Sequence, residues 1–169
     1  MPENQREETG RGSIADGSGS VHSRDRLSPR RRSANMRAIR SMDTTPELLL
    51  RRNLWSRGLR YRLRQRIAGA RPDLVFCYAR VAVFVDGCFW HGCPVHYRPP
   101  VGNASYWSAK ISGNCARDRR NDNALATDGW AVLRLWECEV RADPAAAGDE
   151  VAGVVRSRSG HRRHGTSHR

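Results

Sequence analysis

The sequence predicts an α/β (α+β) protein, a mixed β-sheet flanked by helices, and three observations carry that reading. Two short apolar runs, Asp73–Tyr78 and Arg80–Asp86, are rich in β-branched residues and sit almost end to end. A long helical stretch follows, from near Ser105 to Asp128, with Trp107, Ile111, Cys115 and Leu125 on its buried side. A further strand-like run, Trp130–Trp136, comes directly after it.

Taken in order, the folded region begins near Ser33. Thr45-Pro46-Glu47 marks a helix start, with a hydroxyl cap at Thr45, a proline that needs no N–H partner and a carboxylate facing the helix dipole. Leu48, Leu50, Leu54 and Trp55 supply its apolar side, and Gly58 ends it. Leu59, Tyr61 and Leu63 alternate with Arg60, Arg62 and Arg64, the pattern of a strand with guanidiniums outside. The two β-branched runs, with about one residue of turn between them, form an antiparallel hairpin. Gly129 closes the long helix, and Asp143-Pro144 opens a weak, Ala-rich one.

Residues 1–32 are polar and basic without hydrophobic periodicity, so they read as a disordered tail. Residues 33–142 form the domain, 143–155 the weak helix, and 156–169 a second disordered basic tail.

The chain of 169 residues holds 30 Lys and Arg against 17 Asp and Glu, a net charge of +13. Such an excess points to a polyanionic partner, since neutralising phosphates releases counterions. All but one of the basic residues, Lys110, are arginines, which also favour bidentate phosphate contacts. No apolar run is long enough to span a membrane and no signal peptide opens the chain, so a cytoplasmic protein is expected. There Cys77, Cys88, Cys93, Cys115 and Cys138 are thiols or metal ligands rather than disulfides.

Cys88, Cys93 and His96 follow the strand ending near Val85 with metal-ligand spacing, and Cys138 follows the strand ending at Trp136. Three thiolates and one imidazole make a closed tetrahedral set, which suits structural Zn²⁺ and leaves no position for a reacting water. Cys77 and Cys115 read as ordinary buried thiols.

Asp73, after Arg71-Pro72, and Asp86 can place carboxylate oxygens beside one Mg²⁺, a hard cation that polarises a phosphoryl oxygen. His91 is a natural general base, with a pKa near neutrality. Each has a plainer reading: a turn-capping Asp, a surface or zinc-binding His, and a Glu47 that only complements a helix dipole. Phe89-Trp90, flanked by Gly87 and Gly92, could wedge between bases or be a partly buried loop pair.

At Gly87-Cys88-Phe89-Trp90-His91 the chain resembles the very short patch repair (Vsr) mismatch endonucleases. The resemblance extends over about residues 33–141, through Asn35-Met36-Arg37-Ala38-Ile39, Arg71-Pro72-Asp73, Lys110-Ile111, Asn114, Arg117-Asp118-Arg119-Arg120, Gly129-Trp130 and Trp136-Glu137-Cys138. It implies a restriction-endonuclease-like fold and an Mg²⁺-dependent enzyme that nicks DNA 5′ of the thymine in T:G mismatches left by deamination of 5-methylcytosine. It implies Asp73 and the Val85 carbonyl as Mg²⁺ ligands, His91 as general base, Asp118 as its orienting group, and Glu47 at the water shell of the metal. Phe89, Trp90 and Met36 are then the intercalating residues, Lys110 and Asn114 the neighbours of the mismatched bases, and Cys88, Cys93, His96 and Cys138 the zinc ligands. A monomeric, nucleoid-associated bacterial enzyme, linked functionally to a cytosine-5 DNA methyltransferase and to repair proteins, completes the picture.

The chain also departs from that pattern. Asp86 stands where the best-known members carry a catalytic histidine, Asp86-Gly87-Cys88 lacks the lysine of the usual nuclease motif, and the zinc loop mixes Cys and His differently. Three rivals remain. A zinc-dependent base deaminase needs H-x-E and P-C-x-x-C, which are absent. A zinc-braced DNA-binding module without catalysis leaves Asp73, Asp86 and His91 without a use. A restriction-type or general nicking endonuclease with another target fits the same residues.

Overall fold

The three apolar runs pair into one mixed sheet of order β1-β2-β3. The computed structural model describes Arg30 and residues 42–100 and 102–164. The predicted tail over 1–32 therefore lies, apart from Arg30, outside the described residues, as does Met36. The hairpin joins β1 (Leu74–Phe76) to β2 (Val81–Asp86) with Leu74 opposite Val83 and Phe76 opposite Val81. Its turn runs over residues 77–80, longer than the spacing suggests, and Arg80 takes a left-handed φ of 52° to close it. Cys77 sits on this turn and is exposed, so the expectation of a buried thiol there is wrong.

Helix α1 (Thr45–Ser56) starts at its predicted cap, one residue earlier than expected. Thr44, not Thr45, is the capping residue, and its hydroxyl donates to Glu47 Oε1 at 2.9 Å while the Asp43 N–H donates to Glu47 Oε2 at 3.0 Å. Leu50 and Leu54 are fully buried. Trp55, predicted on the apolar side, is 57% exposed, with the Arg60 guanidinium 3.7 Å from its ring centre. Gly58, at φ 75°, ends the helix as expected.

Leu59–Arg64 does not form a strand. Only Arg62 pairs, exchanging backbone hydrogen bonds with Val75 at 2.8 and 2.9 Å. Strand β1 is too short to template more, and Arg64 turns the chain away with φ 57°. The alternation survives as packing: Leu59, Tyr61 and Leu63 rest on the core while Arg60, Arg62 and Arg64 stay exposed.

Helix α2 (Ala104–Thr127) lies within one residue of its predicted ends and buries Ile111 and Leu125; Trp107 and Cys115 are only partly buried. It carries the chain across to β3 (Ala131–Trp136), which pairs parallel to β2 with Asp86 opposite Trp136. A short helix, α3 (Glu137–Ala142), follows at once.

The last helix, α4, runs from Pro144 to His164, past the predicted end at 155 and through most of the stretch predicted to be a disordered tail. Asp143 Oδ1 caps it, accepting from the N–H groups of Ala145 and Ala146 at 2.9 Å. Ala147, Val151 and Val155 keep one face in the core beside Leu50 and Leu54. Beyond Val155 the apolar period stops, but Arg158 docks: its Nε donates to Ala79 O at 2.9 Å and its Nη2 to Gly129 O at 2.7 Å. Those bonds tie the helix to both turns at the far end of the sheet.

The sheet has a core on each face. Leu74, Phe76, Val81, Val83 and Leu135 pack with α1, α3 and α4, whereas Ala82 and Phe84 face Leu125 of α2. Among the described residues no helix is long and apolar enough to cross a membrane. Replacing Arg158 by Ala is expected to cost about 1–3 kcal/mol in urea unfolding, because two carbonyls lose a charged donor. An unchanged midpoint would mean that the end of α4 is not docked.

Candidate active site and metal-ligand cluster

Because β2 and β3 are parallel and β1 antiparallel, the start of β1 and the ends of β2 and β3 meet at one edge of the sheet. A cleft of about 740 Å³ opens there, and Glu47, Asp73, Asp86, His91, Asp118 and Arg134 all line it.

Asp73 stands just before β1. Its N–H donates to Val83 O at 2.9 Å, and its Oδ2 accepts from the Val85 N–H at 2.7 Å. Burial pushes its carboxyl up from 3.8 to about 6; the Val85 hydrogen bond opposes this, the Glu47 and Asp86 charges add to it, and Arg51 lowers it. Glu47 is 3% exposed, and its oxygens are taken up by the Asp43 N–H, the Thr44 hydroxyl and Arg51 Nη2 at 2.9 Å. Asp73 accepts only one such bond, so a carboxylate oxygen remains open to the cleft.

Asp86 is engaged differently. Both of its oxygens accept from Arg134 Nη1 at 2.9 Å, and Arg134 binds Asp122 through Nε and Nη2. The expectation that Asp86 offers oxygens to a shared cation therefore meets a competitor, the guanidinium already seated on them. Burial works against the charge of Arg134, but Asp122 and Asp86 outweigh it and raise its pKa. The guanidinium also stacks over Phe84, 4.4 Å from the ring centre.

His91 closes the network. Its Nδ1 lies 2.7 Å from Asp118 Oδ2 and 3.7 Å from Asp86 Oδ1. An ionised carboxylate only accepts, so Nδ1 is the donor, and in the neutral ring Nε2 then carries the lone pair. Asp118 and Asp122 both project from α2, one turn apart, and Arg134 spans them from β3. Sequence reasoning misses Arg134 and Asp122. The signal was there in Ala131–Trp136, where one arginine interrupts an apolar strand and needs buried anionic partners.

Phe89 and Trp90 line the cleft but are half-buried, not a free pair. Phe89 packs edge-on against Trp90 at 5.2 Å and Trp107 at 5.1 Å, which forms an aromatic wall with Tyr97. Asn114 Nδ2 donates to Trp90 O at 2.9 Å and so holds the loop to α2. Lys110 is exposed on the same helix, one turn earlier.

Cys88, Cys93, His96 and Cys138 come together with all four ligand atoms within 4.8 Å of one another. Cys93 Sγ is 3.9 Å from both Cys138 Sγ and His96 Nδ1. With Zn–S near 2.3 Å a tetrahedral edge is about 3.8 Å, so this cluster is compatible with zinc. Glu137, also missed in the sequence, accepts from the Cys88 N–H at 2.8 Å and joins the loop after β2 to the start of α3.

The model of the DNA mismatch endonuclease Vsr family matches residues 24–96. The chain is 47% identical over 121 residues to the type II nicking enzyme V.NaeI of Lentzea aerocolonigenes, covering 69% of this chain and 73% of that one. It belongs to the Vsr endonuclease family. It is also 46% identical to the type II nicking enzyme V.XorIIP of Xanthomonas oryzae pv. oryzae, over 69% of this chain and 86% of that relative. The DNA mismatch endonuclease Vsr of Escherichia coli is 40% identical, over 65% and 71%.

The protein is thus a DNA endonuclease, which sets aside the reading as a non-catalytic binding module. A nuclease of this family calls for a divalent metal, and Asp73 is the cleft carboxylate best placed to offer an oxygen. Holding Asp73 as an anion costs stability: with its pKa raised, the contribution is favourable below about pH 4 and is lost as pH rises through about 6. In metal-free protein, Asp73→Asn should raise stability at pH 8 by up to ~3 kcal/mol, and the gain should fade toward pH 4. A gain that does not vary with pH in thermal unfolding would contradict this.

Proposed function

We propose that this enzyme nicks one strand of duplex DNA 5′ of the thymine in T:G mismatches that arise from deamination of 5-methylcytosine, with Mg²⁺ at Asp73 and structural Zn²⁺ in the Cys/His cluster. The observation that carries the reading is the placement of His91, fixed at 2.7 Å by Asp118, in the same cleft as a half-buried Asp73 whose one hydrogen bond among the described residues is to the Val85 N–H. We take the mixed sheet to be the core of a restriction-endonuclease-like fold.

Bound Mg²⁺ supplies the charge that polarises the phosphoryl oxygen and offsets the negative charge of the scissile phosphate. Asp73 Oδ and the Val85 carbonyl would hold that ion, with Glu47 as the further carboxylate near its water shell. His91 Nε2 takes the proton of the attacking water, and Asp118 keeps the ring turned so that Nε2 presents its lone pair. Asp86 acts through position rather than as a ligand: clamped by Arg134, it adds a second anion beside the imidazole. Phe89 and Trp90 form the wall against which an opened base step stacks, Met36 is the third intercalating residue, and Lys110 and Asn114 lie near the mispaired bases. Cys88, Cys93, His96 and Cys138 brace the loop that carries His91. The enzyme acts as a monomer on T:G-mismatched duplex, in functional association with a cytosine-5 methyltransferase and with repair proteins.

A second reading has support of its own: relatives named as type II nicking enzymes favour a nickase with a different target, in the same cleft and with the same residues. A duplex pair that differs only in T:G against T:A separates the two. With Mg²⁺, nicking of the T:G duplex and sparing of the T:A control is expected; equal cutting would contradict mismatch specificity. Asp73→Ala and EDTA should each abolish nicking while DNA binding remains. His91→Ala should slow single-turnover nicking by ~10²–10⁴-fold, the range for a lost general base. Full activity in Asp73→Ala would remove the proposed metal site.

A further inference from the structure

The segment between α1 and β1 carries four arginines at every second position, Arg60, Arg62, Arg64 and Arg66, and all four are exposed. Their neighbours Leu59, Tyr61 and Leu63 are anchored in the core, so the guanidiniums are held outward by packing on the opposite side. Counter-charges are scarce. Arg62 and Arg66 make no ion pair among the described residues, and Arg64 has only Asp43, at 3.5 Å. Arg60 is ordered in advance: it stacks on Trp55 at 3.7 Å and donates to the Trp55 and Leu59 carbonyls.

The strip also has a direction. Arg64 touches Asp43, beside the cleft-lining Thr44, and Arg66 leads through the Ile67–Ala70 bridge to Gly69, Ala70 and Arg71 on the cleft rim. Beside β1, only Arg62 of the strip pairs with the sheet, and all four arginine side chains stay exposed.

We propose that this arginine strip is a second DNA-binding surface, which follows the phosphate backbone of the duplex away from the cleft and supplies affinity independent of sequence. The proposal rests on the enzyme acting on DNA in that cleft. Duplex DNA is the favoured occupant, because a row of cations that continues the rim of a nuclease cleft meets the backbone of the strand bound there. Arginine presents a planar fork to each phosphate, and Arg60 loses little freedom on binding since its rotamer is already set. Trp55 has one ring face taken by Arg60, so it serves as the support for that cation.

The test is the salt dependence of binding to a long, fully paired duplex, read by fluorescence anisotropy. Each phosphate contact contributes about 0.9 to the slope of log K against log salt, so replacing all four arginines by Gln should lower the slope by about 3 to 4. From a common affinity at 1 M salt, that loss of slope means binding weaker by roughly 10³–10⁴-fold near 0.1 M. The four-Lys variant should keep most of the slope, since it retains the charge, and this separates electrostatic contact from damage to the fold. An unchanged slope in the Gln variant, or an equal loss in the Lys variant, would overturn the proposal. An equal loss with single-stranded DNA would overturn the assignment to duplex. If the native enzyme failed to nick T:G duplexes while the slope fell as stated, the functional reading would fail and the strip would stand.

Discussion

The parallel pairing of β2 with β3 is the constraint on which the rest of this molecule depends. Two apolar runs nearly fifty residues apart lie side by side, with Val85 opposite Leu135 and Asp86 opposite Trp136. Whatever follows either strand must therefore emerge at the same edge. The loop after β2 brings Cys88, His91, Cys93 and His96, and the turn after β3 brings Glu137 and Cys138. A four-ligand cluster and a cleft are the geometric result. Antiparallel β1 adds Asp73 to that edge because it begins where its neighbours end. A one-residue slip between β2 and β3 would put Asp86 and Arg134 on opposite faces of the sheet and break the network with Asp118 and Asp122 of α2.

At this edge, electrostatics sort the carboxylates by what holds them. Asp86, Asp118 and Asp122 are tied by Arg134 and His91, and Glu47 by Arg51 and its own helix cap. Asp73 has a single backbone donor and pays for its burial with a carboxyl raised to about 6. An anion so weakly compensated gains most from an incoming cation, which couples the site's low intrinsic stability to its readiness to take a metal. With the proposed zinc bound, the cluster of Cys88, Cys93, His96 and Cys138 would work in the opposite sense, as a brace between the loop bearing His91 and the end of β3.

Much of this is legible in the sequence, and the gaps have physical causes. Period and β-branching locate β2, β3 and α2, because burial against a sheet leaves a repeating mark. The Cys and His spacing locates the cluster, since soft ligands so near one another on a loop are hard to explain by packing. The Leu59–Arg64 alternation is real as burial but misleads as strand, for hydrogen bonding depends on the length of its partner and on the turn at Arg64. The end of α4 is hidden because Arg158 docks through carbonyls of two distant turns, and no local period records that. Asp86 looks like a metal ligand until the partner from β3 is seen; its pairing with Arg134 is a contact between residues 48 apart.

In the proposed function Asp73, and not Asp86, receives the catalytic ion. Anomalous diffraction from crystals of the enzyme soaked with Mn²⁺ in place of Mg²⁺ tests it most directly. A manganese peak within coordination distance of an Asp73 carboxylate oxygen and the Val85 carbonyl is expected, with the Asp86–Arg134 pair intact. A peak on Asp86, with Arg134 displaced and Asp73 unengaged, would contradict it.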